Sequence, residues 1–359
     1  MRRRKIFLSS RRGFAVVFLV ALGAPLALAQ QVSGHVTADG TQPISGAIVK
    51  LQAKGGVQTA VATTGEDGSF SVSGLKTDTA LLSVEKDGRL LYRSIVSTKT
   101  KGALNISLMK PFHLPDWHPV DIAPDPVAGV LVLEIGGGVS RIRSDQSGHH
   151  QESLFSVPLS YMVVSIAADI GAIYVTSNSQ LGCTVFKFTI ATRSVSRKII
   201  STTNSCHGIA TGGGSIYVVL TESKQIAYSD NWNSPFSRTF DLRPSSSPEP
   251  LVFDNAGQRL LVGDTTGKIY AVSVPSGKIT LVNSEVGWAA SIAATMNHIL
   301  VASKTKIISI ARADNRIENP PPLRSLTGGI IAGVVSDASG NIWYADYDNG
   351  SVVGPLVVK

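Results

Sequence analysis

From about residue 119 to residue 359, one pattern of apolar and polar positions returns six times at a spacing of about 40 to 44 residues. Each unit opens with a short Ile/Val-Ala strand, turns through Gly, Asn or Asp, climbs a second apolar strand and turns into a third. The openings are Asp121-Ile122-Ala123, Ser165-Ile166-Ala167, Gly208-Ile209-Ala210, Pro250-Leu251-Val252, Ser291-Ile292-Ala293 and Gly333-Val334-Val335. A period near 40 with several short strands per repeat is the pattern of a propeller blade, which cannot bury its apolar faces alone and stacks radially on its neighbours. The reading is a six-bladed β-propeller over residues 119–359. Its last repeat runs out of chain after three strands, so the strand that completes it is expected from just before the first blade, around Ile106–Leu114, because an open edge leaves backbone groups unpaired.

Residues 31–110 alternate differently, in seven short runs: Val32–Val36, Ala47–Leu51, Thr59–Thr63, Ser69–Val72, Ala80–Val84, Leu90–Ile95 and Ala103–Leu108. Turn pairs such as Asp67-Gly68 and Asp87-Gly88 separate them, which predicts a seven-stranded antiparallel sandwich over residues 30–110. Pro111, Pro115 and Pro119 bracket a stiff connection, and residues 111–118 are read as the linker. With 34 glycines, 17 prolines and no helical apolar period in any stretch of 12 residues after residue 29, the fold class is all-β.

Six basic residues, Arg2, Arg3, Arg4, Lys5, Arg11 and Arg12, precede the apolar run Phe14–Ala29, which ends in Ala27-Leu28-Ala29. The run is interrupted by Pro25 and is shorter than the roughly 20 residues a spanning helix needs, so residues 1–29 are expected to be a cleaved signal peptide. That implies an exported protein, periplasmic or extracellular, whose mature chain does not span a membrane. The formal charge is +8, and removing those six unaccompanied basic residues leaves only +2. Without a clustered basic face, nucleic acid is not an expected partner.

Aligning the repeats puts Val120, Val164, His207, Glu249, Ala290 and Ala332 at one position of the channel mouth. Four are small and apolar. His207 and Glu249 stand on neighbouring blades, so an imidazole–carboxylate contact and acid–base chemistry are within reach. His118, Asp121 and Trp288 complete the candidate ligand face. No metal or cofactor is expected, because Glu249 with Asp121 is too few acids for oxygen coordination. In an up-and-down blade the loop after the second strand opens on the same face as the loop into the next blade. Cys183 and Cys206 therefore arrive at one rim and are expected to form a disulfide, which an exported protein with two cysteines favours.

Three resemblances follow from these residues. Val32-Ser33-Gly34-His35-Val36, Pro43–Leu51 and Thr64-Gly65-Glu66-Asp67-Gly68-Ser69-Phe70 look like the carboxypeptidase regulatory-like domain, which implies an accessory module without catalytic residues and a fold like that of some carbohydrate-binding domains. Asp337-Ala338-Ser339-Gly340-Asn341-Ile342-Trp343 resembles the repeat of NHL-type and virginiamycin B lyase-like propellers. Ser10-Arg11-Arg12-Gly13-Phe14 resembles the twin-arginine export motif, leaving the general secretory and twin-arginine routes both open. The expected function is an exported two-module binding or scaffold protein whose propeller face takes an envelope protein, glycan or small ligand. The alternative is a lyase or lactonase with a degenerate site at His207 and Glu249, the one reading that brings in a divalent metal.

Overall fold

The computed structural model describes residues 30–38, 42–53, 58–86, 89–99, 103–108, 112–113, 118–145, 148–274, 276–317, 323–324, 329–338 and 340–356. All regular structure among them is β-strand. Residues 1–29, expected to be a signal peptide, and most of the 111–118 connection lie outside the described residues, and no described helix is long and apolar enough to cross a membrane.

The N-terminal module is built from two sheets. In one, Gln30–Ala38 is central, with Ser69–Leu75 and the two-residue Gln42–Pro43 along one edge and Leu104–Leu108 along the other. The second orders Thr59–Thr63, Ile48–Ala53, Thr79–Lys86 and Arg89–Ser97. Val36, Leu51, Phe70, Val72, Leu82, Val84 and Ile106 fill the space between them, the period-2 outcome of inward apolar residues. The seven-stranded antiparallel expectation needs correction in two respects. An eighth, very short strand is present, and Leu104–Leu108 runs parallel to Gln30–Ala38. That strand crosses over from the other sheet, so no hairpin dictates its direction. Gly34 admits it: a Cβ there would lie 1.9 Å from the Leu104 carbonyl oxygen.

Beyond residue 118 come six four-stranded antiparallel sheets among the described residues, arranged like the blades of a propeller. Their innermost strands are Pro119–Pro124, Met162–Ala168, Cys206–Gly212, Pro248–Asp254, Ser291–Ala294 and Ile331–Ser336. Each packs on the next, and the sixth returns to the first, where a Cβ on Gly333 would meet Ile122 at 2.6 Å. The second strands are buried almost throughout, as in Val130–Glu134 and Ile342–Asp346, because sheets lie on both of their faces.

The sixth sheet is completed by Phe112–His113, which pairs with Ser351–Leu356 through Ser351↔His113 and Val352↔Phe112. The donor segment is thus shorter than the Ile106–Leu114 expected. Ile106 is buried in the sandwich core, so its strand is already committed there.

Candidate functional site

At the mouth of the channel, five of the six innermost strands carry a register shift near their start. The shifts fall between Pro119 and Asp121, Val163 and Ser165, Cys206 and Ile209, Pro248 and Leu251, and Ile331 and Gly333. The residues left out of the ladder include Val120, Val164, His207, Glu249 and Ala332, the positions aligned from the sequence. A bulge frees a residue from the pleat and re-aims its side chain. The common position is therefore a ring of bulges around the mouth. The fifth strand lacks one, and Ala290 simply precedes it, its N–H donating to Ala302 O at 2.9 Å.

One residue further along, the side chains turn to the seams between sheets. Asp121 lines the channel but its carboxylate is occupied: Oδ1 accepts from Ile122 N at 2.9 Å, and Oδ2 accepts from Ser165 Oγ at 2.6 Å and Ile166 N at 3.0 Å. Burial pushes its pKa up to about 6 against the opposing pull of those hydrogen bonds. Ser291 does the same work between the fifth and sixth sheets, with Val334 N donating to its Oγ at 3.2 Å. Gly208 leaves space for the fourth sheet, since a Cβ would lie 2.5 Å from Glu249 O. Asp121 is thus a staple between sheets rather than an open ligand group.

Glu249 and His207 do not bond to one another among the recorded contacts. Glu249 Oε2 accepts from Trp288 Nε1 at 3.0 Å. His207 interacts with Glu222, whose Oε2 accepts from Ser205 N at 2.7 Å. Burial alone would raise the Glu222 carboxyl, yet the Ser205 hydrogen bonds and then the nearby His207 hold it below its ordinary value. The expected His207–Glu249 pair is replaced by two separate contacts, Glu249 with Trp288 and His207 with Glu222. His118 stands across the ring, its Nδ1 2.7 Å from Tyr347 O and its ring 5.1 Å from the Tyr347 ring.

The innermost strands enclose a funnel of about 540 Å³ to which Val120, Val164, His207, Glu249, Trp288, Ile330 and Tyr347 contribute. Trp288 is 39% exposed, while Val286 and Ala289 of the same loop are buried. Among the described residues no three His, Cys, Asp or Glu side chains come together as a metal site. Cys183 and Cys206 form a disulfide at the rim, with a Cα–Cα distance of 5.1 Å. It joins the third strand of the second sheet to the start of the third sheet, directly before His207. Asn178 reinforces that join, accepting from Cys206 N at 2.8 Å and donating to Cys206 O at 3.0 Å.

The sequence reading missed Glu222, Tyr347 and Ile330. Glu222 and Tyr347 sit just past the second strands, in hairpins that an alignment of strand openings does not register. The D-x-x-G-N-x-W run proves to be a turn device: Asp337 accepts from Asn341 N at 2.9 Å and from Trp343 Nε1 at 3.0 Å.

Sandwich and ring together define a two-module all-β protein of propeller-like fold with a cavity along the ring's central channel. Residues 31–109 match the family described as Carboxypeptidase regulatory-like domain. No curated protein matches the chain in sequence. Among solved structures, the chain is similar to one in a nidogen/laminin complex, with TM-score 0.51, 15% identity and coverage of 60% of this chain and 85% of that one. It is also similar to a protein of unknown function from Bacteroides thetaiotaomicron, with TM-score 0.51, 11% identity and coverage of 86% and 89%. A third is the WD40 β-propeller domain of Doa1, with TM-score 0.50, 12% identity and coverage of 68% and 94%. At such identities the likeness carries the fold alone.

Proposed function

We propose that this is an exported two-module binding protein, in which a six-bladed, NHL-type propeller holds a ligand at the mouth of its channel. The sandwich is an accessory module that contributes no chemistry. The observation that carries the reading is Trp288, whose indole N–H is anchored on Glu249 while 39% of the residue remains exposed beside a funnel of about 540 Å³. Sites for small molecules have this size, a mostly apolar wall and a few placed polar groups. Val120, Val164, Ala290 and Ala332 keep the mouth wide, and Glu249 and His207 supply the polar groups. The reading invokes no cofactor and no nucleic acid; the ligand is an envelope protein segment, a glycan or a small molecule. Export is supported by the disulfide, by the matched accessory domain, and by the basic and apolar N-terminus.

A thermal-shift panel of glycans, peptides and small metabolites tests this, run on the wild type and on Ala332→Phe, which fills the funnel. At least one compound should raise the wild-type Tm by a few degrees through binding to the folded state, with no response from Ala332→Phe. A panel without any response, or equal responses from both proteins, removes the reading.

A further inference from the structure

Resting on that reading, we infer that the group anchored at the mouth is a cation, the ammonium or guanidinium of an amine ligand or of a basic side chain. Glu249 is a carboxylate whose one recorded donor among the described residues is the neutral indole N–H of Trp288. Among the described residues no recorded ion pair joins it to a lysine or arginine, and Arg243, from the loop that leads into its strand, is held by Asp241. The in-plane N–H bond sets the carboxylate at the edge of the indole. A group lying on the ring face is then within a few ångströms of the free carboxylate oxygen. An aromatic face beside an uncompensated carboxylate attracts a cation twice, through the ring quadrupole and through charge.

A second rim carboxylate, Glu222, stands one sheet away beside His207, also without a lysine or arginine partner among the recorded ion pairs. Four of the other five ring positions are apolar. Val120, Val164, Ala290 and Ala332 offer no side-chain donors or acceptors for hydroxyls, whereas a cation needs only the carboxylate and the ring. Glu249 with Trp288 thus forms an anionic, aromatic anchor among walls that are apolar at Val120, Val164, Ala290 and Ala332 and polar at Asp121, His207, Thr211 and Asn255.

The experiment uses the full mature chain and three probes: choline, N-acetyl-lysine methylamide, and 3,3-dimethylbutanol as the uncharged isostere of choline. Binding is followed by tryptophan fluorescence at low salt. The cationic probes should bind at least about ten-fold more tightly than the isostere, and 0.5 M NaCl should weaken them. Glu249→Gln, whose amide oxygen still accepts the indole N–H, should lose about ten-fold for the cations and nothing for the isostere. A preference for choline over the capped lysine assigns a small quaternary ammonium, and the reverse order assigns the primary ammonium of a peptide side chain. Equal affinity for choline and its isostere, or an unaffected Glu249→Gln, overturns the inference. If neutral compounds of the wider panel bind at the mouth while neither cation does, this inference falls and the binding reading stands; if nothing binds, both fall.

Discussion

Asp121 looked like a ligand in the sequence because an acid at the start of an innermost strand faces a channel. Its partners, Ser165 and Ile166, belong to the next sheet, and only the closed ring reveals that its lone pairs are used. His207 and Glu249 share with the residues aligned to them a position that is a bulge in five of the innermost strands. Which donors those two residues would meet was not legible, because Trp288 and Glu222 come from loops without a repeat signal. The buried acids also set a pH response. Burial raises Asp121 from 3.8 to about 6 and Glu134, which accepts weakly from Ser140, from 4.5 to about 7. The folded state therefore holds these protons at pH values where the unfolded chain has released them. Their contribution is fully present below pH 4 and is lost as pH rises through about 6 and 7. Glu134→Gln should flatten the decline in unfolding free energy between pH 5 and 7, a difference of up to about 3 kcal/mol; a pH profile parallel to wild type would contradict the assignment. Gly208→Ala sets a Cβ against backbone atoms of the fourth sheet, at 2.5 Å from Glu249 O and 2.6 Å from Leu251 N. We expect a loss of about 1–3 kcal/mol in urea denaturation, with weaker ligand binding because Glu249 is displaced.

The innermost strands end as regularly as they begin. Asp125, Asp169, Asp254, Thr295 and Asp337 each accept from the backbone of the hairpin that follows, as Gly171 N and Ala172 N do toward Asp169 Oδ1 at 3.0 and 2.8 Å. This recurrence near 42 residues is the physical content of the D-x-x-G-N-x-W resemblance, and it explains why the motif is intact only once. A side-chain acceptor at this turn recurs in five of the six sheets and is an acid in four of them, whereas the second donor varies among Trp343 Nε1, Tyr174 OH and Arg259 Nε. Asp254 adds a clamp between sheets, accepting from both terminal nitrogens of Arg312 at 2.6 Å. Burial alone would raise its carboxyl, but bonds from Arg312, Gly257 and Arg259 hold it below its ordinary value. Closure depends on a strand of only two residues, Phe112–His113. A chain beginning at residue 118 should melt several degrees below one beginning at residue 111, because the sixth sheet loses its outer ladder; identical melting temperatures would mean that the pairing contributes nothing. The disulfide closes 22 intervening residues, and Cys183→Ala with Cys206→Ala should cost about 3 kcal/mol in urea denaturation. A loss near zero would show that the Asn178 bridge alone holds the rim.

The two modules have separate cores, one around Leu51, Phe70 and Leu82 and the others between successive sheets of the ring. That separation was legible in the change of period at residue 119, because alternation in short runs and a 40-residue repeat demand different packings. The parallel strand Leu104–Leu108 was not legible, since its alternation fits either direction and the close approach at Gly34 exists only in the folded sandwich. The disulfide was legible because blade topology brings the two cysteines to one rim regardless of side-chain detail. The identity of the ligand is not written in the repeats, since the ring positions that face it are mostly valine and alanine and the anchoring Trp288 lies in a connecting loop. The proposed ligand sits at the mouth formed by the bulged starts of the innermost strands. The most direct measurement is a crystal structure of the mature chain soaked with the strongest compound from the thermal-shift panel. The account predicts ligand density in the funnel, in contact with the indole of Trp288 and the carboxylate of Glu249. Density confined to the opposite end of the ring, in the groove of about 730 Å³ beside Trp232 and Lys187, would contradict it.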